Sequence, residues 1–238
     1  MRTIFLWVYF VCYMLVSIFY RFRLAFVKKF GTREQAEKLV YNFASNCAKD
    51  IIRKSGVKVN IDGEENIPKE ACLFVPNHQG LFDLLLVLGY INRPVGFIAK
   101  KGTKSIPLIS GWMKEMHCVF IDRKNTREGL KAINQGVENL KDGHSMVIFP
   151  EGTRSRSSQI GKFKKGSMRL AIKSGCPIVP ITIQGTYKVF EENHGIVTPG
   201  IISLIISKPI YIKDFTIEEQ SNLSNIVRDI IRKNLPES

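Results

Sequence analysis

One histidine of this chain has a neighbourhood that suggests acid–base chemistry. His78 and Asp83 lie in the segment PNHQGLFD, residues 76–83, which directly follows an apolar run. On one continuous helix, a separation of five residues turns two side chains about 140° apart. The two side chains therefore meet only if His78 lies on a turn before a helix that starts near residue 80. Asp83 would then accept a hydrogen bond from Nδ1 and leave Nε2 as a general base.

That spacing is common by chance in a chain with four histidines, so other features must support it. Arg154 follows the apolar run 145–149, Arg123 follows another run, and Lys100 ends a third. A guanidinium presents a planar set of donors suited to phosphate, and Gly152 lets the backbone approach a ligand closely. A base and several cations at neighbouring strand ends predict a site that activates a hydroxyl group on a phosphorylated substrate.

These residues need a scaffold that brings strand ends together, and the pattern from residue 57 onward predicts one. Short β-rich runs alternate there with helical patterns, which is typical of an α/β fold with a mixed, largely parallel sheet flanked by helices. The predicted strands are residues 57–61, 72–75, 96–99, 118–121, 145–149, 178–183 and 201–207. Helical patterns are predicted around residues 130–140 and 168–173, and from Ile217 after the capping pair Thr216 and Glu219.

The N-terminal segment predicts a membrane anchor. Residues 3–20 are uncharged and rich in aromatic side chains, at the lower length limit for crossing a bilayer. Basic residues follow this stretch, and the first acidic residue of the chain is Glu34, so we expect the C-terminal side to lie in the cytoplasm. A cleaved signal peptide is the alternative, but the small-residue cleavage pattern is missing before Arg21.

A second, amphipathic helix is predicted over residues 32–52, opened by the capping box of Thr32 and Gln35. Its apolar stripe suits an interfacial helix that folds back along the bilayer, which we favour, or a helix that packs on the rest of the protein. The sequence thus divides into an N-terminal membrane anchor of two helices, residues 1–54, and an α/β domain, residues 55–238.

Composition limits the function further. The chain has 238 residues, 35 Lys and Arg against 21 Asp and Glu, and a formal net charge of +14, which favours anionic partners. A hydrophobic content of 45% excludes a disordered chain. The five cysteines lack the C-x-x-C spacing of a zinc or redox site.

Four segments, in this order, resemble the glycerolipid acyltransferase family. They are NHQGLFD at 77–83, FIDR at 120–123, FPEGTRS at 149–155 and IVPITI at 178–183. The resemblance implies that His78 takes the proton of the free sn-2 hydroxyl of 1-acyl-glycerol 3-phosphate while Asp83 orients the imidazole. The hydroxyl oxygen would then attack an acyl thioester, giving phosphatidic acid for phospholipid biosynthesis.

The resemblance also implies that Arg123 and Arg154, together with the segment of Glu151, Gly152 and Thr153, hold the phosphate of the acceptor. Lys100 is a third candidate cation from the strand-end argument. Since a thioester is already activated, we expect no covalent intermediate, no metal and no cofactor beyond the co-substrate, acyl-CoA or acyl carrier protein. The expected partners are the bilayer, lysophosphatidate and the donor, and not nucleic acid. The protein would lie at the cell membrane with its catalytic domain on the cytoplasmic face.

Two alternatives stay open. The acceptor could be glycerol 3-phosphate or another lysophospholipid, because these motifs do not separate such acceptors. Outside the enzymes, a non-catalytic membrane-surface protein could bind anionic lipid through its basic charge. Electrostatic binding alone, however, gives no reason for a base at a strand end.

Overall fold

A computed structural model describes residues 1–122 and 125–236. The helices are α1 (Arg2–Phe30), α2 (Arg33–Lys54), α3 (Phe82–Tyr90), α4 (Ile109–Glu115), α5 (Thr126–Lys141), α6 (Arg169–Ser174), α7 (Thr186–Val189) and α8 (Ile217–Lys233). The strands are β1 (Lys58–Asp62), β2 (Leu73–Pro76), β3 (Gly96–Lys100), β4 (Val119–Ile121), β5 (Met146–Val147), β6 (Ile178–Gln184) and β7 (Ile201–Ile206).

The strands form one sheet in the order β1-β7-β6-β2-β5-β3-β4. The pair β6–β7 is antiparallel and the other pairs are parallel. The predicted fold class is therefore confirmed, and all seven predicted strands are present. The strand β5 is shorter than its apolar run, although Ile148 N still donates to Phe74 O over 3.0 Å. The short helices α4 and α7 were not predicted.

The central strands are buried on both faces. In β2, Phe74 packs in one apolar cluster, whereas its neighbours Leu73 and Val75 pack in the cluster on the opposite face. Such two-sided burial is the reason that parallel strands read as continuous apolar runs. Because β2 lies between β6 and β5 and runs parallel to both, the three strands end at one edge of the sheet, here called the carboxyl edge.

The helix α1 continues through the basic residues that follow the uncharged stretch, to Phe30. By length and composition it is apolar enough to cross a membrane, and only 11% of its most apolar window is buried. One side packs through Leu6 and Leu24, and Tyr9 Oη donates to Asp50 Oδ2 of α2 over 2.8 Å. The other side leaves large apolar side chains exposed, an arrangement that marks a membrane or protein contact surface.

The helix α2 has the predicted capping box, in which Gln35 N donates to Thr32 Oγ1 over 3.2 Å. Its apolar stripe is buried inside the protein; for example, Val40, Cys47 and Ile51 are all buried. Our preferred placement of this stripe at the bilayer surface is therefore wrong, and the stripe packs on the α/β domain. Apolar periodicity cannot distinguish these two cases, because lipid and protein core cover an apolar stripe equally well.

An asparagine joins the ends of β2 and β6. The Asn77 side chain donates from Nδ2 to Ile183 O over 3.0 Å and accepts from Ile183 N over 2.7 Å, and it is fully buried. The amide thus pairs with a backbone unit as a neighbouring strand would, one residue past the end of β2. This pairing fixes the chain direction at the residue that precedes His78.

We expect Asn77→Ala to lower the free energy of unfolding by about 2–6 kcal/mol, because it leaves the N–H and C=O of Ile183 without a partner and each such group costs roughly 1–3 kcal/mol. In a chain of this size, each kcal/mol lowers the melting temperature by about 2–4 °C, which thermal unfolding in detergent can measure. The matched control is Asn60→Ala, on an exposed strand position. Equal melting temperatures for the two variants would contradict this account.

Candidate active site

His78 and Asp83 are in hydrogen-bond contact at the carboxyl edge. His78 lies on the turn after β2, and its Nδ1 is 2.7 Å from Asp83 Oδ2. Asp83 lies in the first turn of α3, which starts at Phe82. The imidazole is 15% exposed and stacks on the Phe149 ring, with 4.1 Å between centroids. With Nδ1 directed to the carboxylate, Nε2 is the nitrogen that can exchange a proton with a ligand.

The Asp83 carboxylate is fully buried and takes hydrogen bonds from three residues on two segments. Besides His78, Gly80 N donates to Oδ2 over 2.9 Å, and the Thr186 hydroxyl donates to Oδ1. These donors stabilise the ionised carboxylate and fix its orientation, because a buried charge is tolerated only when it is paired and hydrogen-bonded. The imidazole consequently has one position and one tautomer.

The segment 149–155 is hydrogen-bonded to the histidine turn. Ser155 N donates to His78 O over 2.8 Å, and Arg156 N donates to Gln79 O over 3.1 Å. Glu151 is buried and accepts from His78 N over 2.7 Å and from Gly161 N over 3.0 Å. Burial raises the pKa of Glu151, and the two N–H donors act in the opposite direction. The Glu151 carboxylate therefore holds the backbone segments of His78 and Gly161 together.

Arg154 lies on the same segment and is held by an acid that the sequence did not reveal. Its Nη1 is 2.9 Å from Oε1 of Glu191, whose side chain is 5% exposed, and the same oxygen accepts from Leu81 N over 2.8 Å. The Arg154 side chain is 36% exposed, so the rest of its guanidinium can reach a ligand. A Cβ atom on Gly80 would overlap Glu191 Oε2, so any other residue at position 80 would require the Glu191 side chain to move.

A lysine that we assigned no role also approaches this segment. Gly152 has φ +74°, and a Cβ atom there would lie 2.7 Å from Lys164 Nζ. The structure therefore adds the Lys164 ammonium group to the region of Arg154. Thr153 is exposed at the tip of this turn.

The two other candidate cations are Lys100 and Arg123. Lys100 is exposed at the end of β3, two strands away from β2, and within the described residues it makes no contact with His78, Asp83 or Arg154. Arg123 lies outside the described residues. The roles of Lys100 and Arg123 in binding phosphate stay predictions.

Sequence reasoning missed Thr186 and Glu191 for different reasons. Thr186 follows Gly185 directly after β6, which ends beside β2. The strand-end rule that selected His78 would have found it. Glu191 lies in a turn rich in polar residues, where nothing in the local pattern separates a buried acid from a solvated one.

Comparison with known proteins agrees with this fold. Residues 58–184, more than half of the chain, match the family model described as Acyltransferase, so the chain belongs to this family. It is 31% identical over 234 residues, 90% of this chain and 87% of the relative, to a probable 1-acyl-sn-glycerol-3-phosphate acyltransferase of Mycoplasma genitalium.

Two further matches come from Brassica napus and Thermotoga maritima. The chain is 39% identical over 157 residues to a chloroplastic 1-acyl-sn-glycerol-3-phosphate acyltransferase of Brassica napus, over 65% of this chain but only 45% of that protein. The chain thus spans less than half the length of that relative. The crystal structure of the 1-acyl-sn-glycerophosphate (LPA) acyltransferase PlsC from Thermotoga maritima matches with a TM-score of 0.81 and 31% identity. That match covers 98% of this chain and 96% of the other.

We expect Glu191 to act on acceptor binding through Arg154. In Glu191→Gln, the amide oxygen can still accept from Leu81 N and Arg154, but the bond to the guanidinium loses its charge assistance, which is roughly half of its strength. The Michaelis constant for a phosphorylated acceptor should rise several-fold with little change in kcat.

Glu191→Ala supplies the contrast, because it leaves Leu81 N–H without its acceptor and should also lower the free energy of unfolding by about 1–3 kcal/mol. Kinetics and thermal unfolding of both variants measure the two effects separately. An unchanged Michaelis constant in Glu191→Ala would remove Glu191 from the positioning of Arg154.

Proposed function

We propose that this protein transfers an acyl group from an acyl thioester to the sn-2 hydroxyl of 1-acyl-sn-glycerol 3-phosphate, giving phosphatidic acid. The observation that carries the proposal is the 2.7 Å contact between His78 Nδ1 and a fully buried Asp83, beside a partly exposed Arg154. A base and a phosphate-binding cation at one edge suit a phosphorylated alcohol. The names of several relatives state this reaction for those proteins.

In the proposed mechanism, His78 Nε2 takes the proton of the acceptor hydroxyl as its oxygen attacks the thioester carbonyl carbon. The carbon–sulfur bond then breaks, and the imidazolium returns the proton to the leaving thiolate. Asp83 stabilises the imidazolium in the intermediate state and receives no proton. A positioned general base contributes about 10²- to 10⁴-fold in rate, which suffices for an activated acyl donor without a covalent enzyme intermediate. The mechanism uses no metal and no cofactor besides the donor.

The proposed phosphate site consists of Arg154 and Lys164, with Arg123 and Lys100 as further candidates. A guanidinium and an ammonium neutralise the phosphate, and the absent side chain at Gly152 lets the Lys164 ammonium group approach the segment. The Gly152 N–H itself donates to Phe149 O over 3.1 Å. Glu151 cannot donate a hydrogen bond while it is ionised, so we assign it to holding the segment. The exposed Thr153 hydroxyl can donate to a ligand at the tip of the turn.

We further propose that α1 anchors the protein at the cytoplasmic face of the cell membrane. Support comes from its exposed apolar side chains and from the basic residues Lys28 and Lys29 in its last turn. The acceptor then enters from the bilayer and the product returns to it, while the donor arrives from water. Acyl-CoA and acyl carrier protein are both acidic, and the net charge of +14 would raise the encounter rate of either.

A thiol-release assay on membranes tests the reaction. Each donor, an acyl-CoA or an acyl carrier protein thioester, is tested with each acceptor: lysophosphatidate, glycerol 3-phosphate and neutral lysolipids. We expect release that depends on lysophosphatidate, and a fall in kcat of about 10²- to 10⁴-fold in His78→Ala, because that variant lacks the base. His194→Ala, at an exposed turn, is the control and should keep wild-type activity. Near-full activity in His78→Ala would exclude the mechanism, and binding to anionic vesicles without any thiol release would favour the non-catalytic alternative.

Arg154→Ala tests the phosphate contact. A hydrogen bond to a charged group contributes about 1.5–3 kcal/mol, so we expect kcat/KM for lysophosphatidate to fall roughly 10- to 150-fold, chiefly through KM. The residual turnover of a neutral lysolipid should change little, since that acceptor has no phosphate to lose. An equal loss toward both acceptors would indicate a general structural defect rather than a phosphate contact.

A further inference from the structure

A second group of side chains with binding chemistry lies at the opposite edge of the sheet from His78. His117 and His144 precede β4 and β5, so they lie at the amino ends of these parallel strands. Glu37 of α2 completes the group. One ligand atom of each side chain lies within 4.8 Å of the other two, and all three residues are half-buried. The group therefore joins three elements that are distant in sequence.

The distances suit a metal ion. The two imidazole rings stack with 3.6 Å between centroids and an interplanar angle of 19°. A tetrahedral ion with bonds of about 2.0–2.1 Å holds its donor atoms roughly 3.3–3.5 Å apart. To bind one ion, the donor atoms would move together by up to about 1.5 Å, and the stacked rings would tilt so that their in-plane lone pairs converge.

A hydrogen bond holds the backbone at His117. Its φ is +57°, in the left-handed region. The buried Asn139 Nδ2 donates to His117 O over 2.8 Å and fixes this conformation. The His117 side chain therefore projects from a backbone position that a buried contact holds in place.

A cation already lies between two of these three groups. Arg33 Nε is 2.7 Å from Glu37 Oε1, and Arg33 Nη2 is 2.6 Å from His144 Nε2. Since a guanidinium only donates, His144 Nε2 must be the unprotonated acceptor, with its lone pair directed toward positive charge. Arg33 thus occupies lone pairs on two of the three groups that could otherwise bind a metal ion. Its side chain is 67% exposed, so it can move into solvent when an ion enters.

We propose that Glu37, His117 and His144 bind a zinc-class divalent metal ion, which displaces Arg33 and links α2 to the sheet. Two imidazoles and one carboxylate suit zinc, with water as the fourth ligand, whereas magnesium and calcium require more oxygen ligands. The ion is structural, because it lies at the edge of the sheet away from His78. It stabilises the docked position of α2, since any ion that binds only the folded state shifts unfolding.

Zinc titration of the full-length protein tests the site, after chelator treatment in detergent. Equilibrium dialysis gives the affinity, and the visible spectrum of the cobalt-substituted protein reports tetrahedral nitrogen and oxygen ligation. We expect one zinc per chain and a melting temperature that rises with zinc. His117→Ala, His144→Ala and Glu37→Gln should each weaken binding at least about tenfold. His194→Ala, which removes a histidine outside the group, and His78→Ala should bind zinc as the wild type does.

Arg33→Gln is the decisive variant, because it removes the competing cation and should bind zinc several-fold more tightly than the wild type. Tighter binding cannot result from a failure to fold, which keeps the test informative even if the histidine variants are unstable. The proposal is overturned if the wild type takes up no zinc at micromolar concentrations. It is also overturned if zinc binding depends on His78 rather than on His117 and His144, or if Arg33→Gln binds no more tightly.

Discussion

The buried carboxylate of Asp83 is the constraint on which the structure of the carboxyl edge depends. A carboxylate with no access to water must find donors inside the protein, and its donors come from His78, Gly80 and Thr186. These residues lie on the turn after β2 and at the start of α7, which follows β6. One charge therefore ties two neighbouring strand ends together, and the imidazole is oriented because it is one of the three donors.

The same rule explains the two other buried acids of this edge. Glu151 accepts from the backbone at His78 and Gly161, and Glu191 accepts from the backbone at Leu81 and from Arg154. Each acid holds a loop in place, while the cations keep part of their surface exposed. This division suits an edge that receives an anionic ligand, since the acids hold the loops in place and leave the exposed part of the Arg154 guanidinium to face the ligand.

The sequence predicted the sheet, and it predicted that the segments of His78 and Arg154 lie at the same edge, because both predictions depend on local rules. Apolar runs mark strands buried on both faces, and parallel strands bring their ends to one edge, so His78 and the segment with Arg154 could be placed together. The apolar stripe of α2 was misplaced, because periodicity shows that a stripe is covered and not what covers it. Glu191, and the group of His117 and His144, depend on tertiary contacts between distant segments, for which the sequence has no local signal.

The contacts of α1 bear on how the protein meets a bilayer. Because β7 is antiparallel to β6, the segment that leads into β7 lies at the carboxyl edge, and Val197 N of that segment donates to Thr3 Oγ1 over 2.8 Å. Near its other end, Lys28 pairs with Glu115, at the end of the helix that leads into β4 and hence at the amino edge. The helix therefore runs along the domain from one edge to the other.

Crossing a bilayer in this position would carry polar parts of the domain into the hydrocarbon, so the exposed apolar side of α1 suits immersion along the membrane surface. Such an orientation brings the edge with His78 next to the lipid from which a lysophospholipid would arrive.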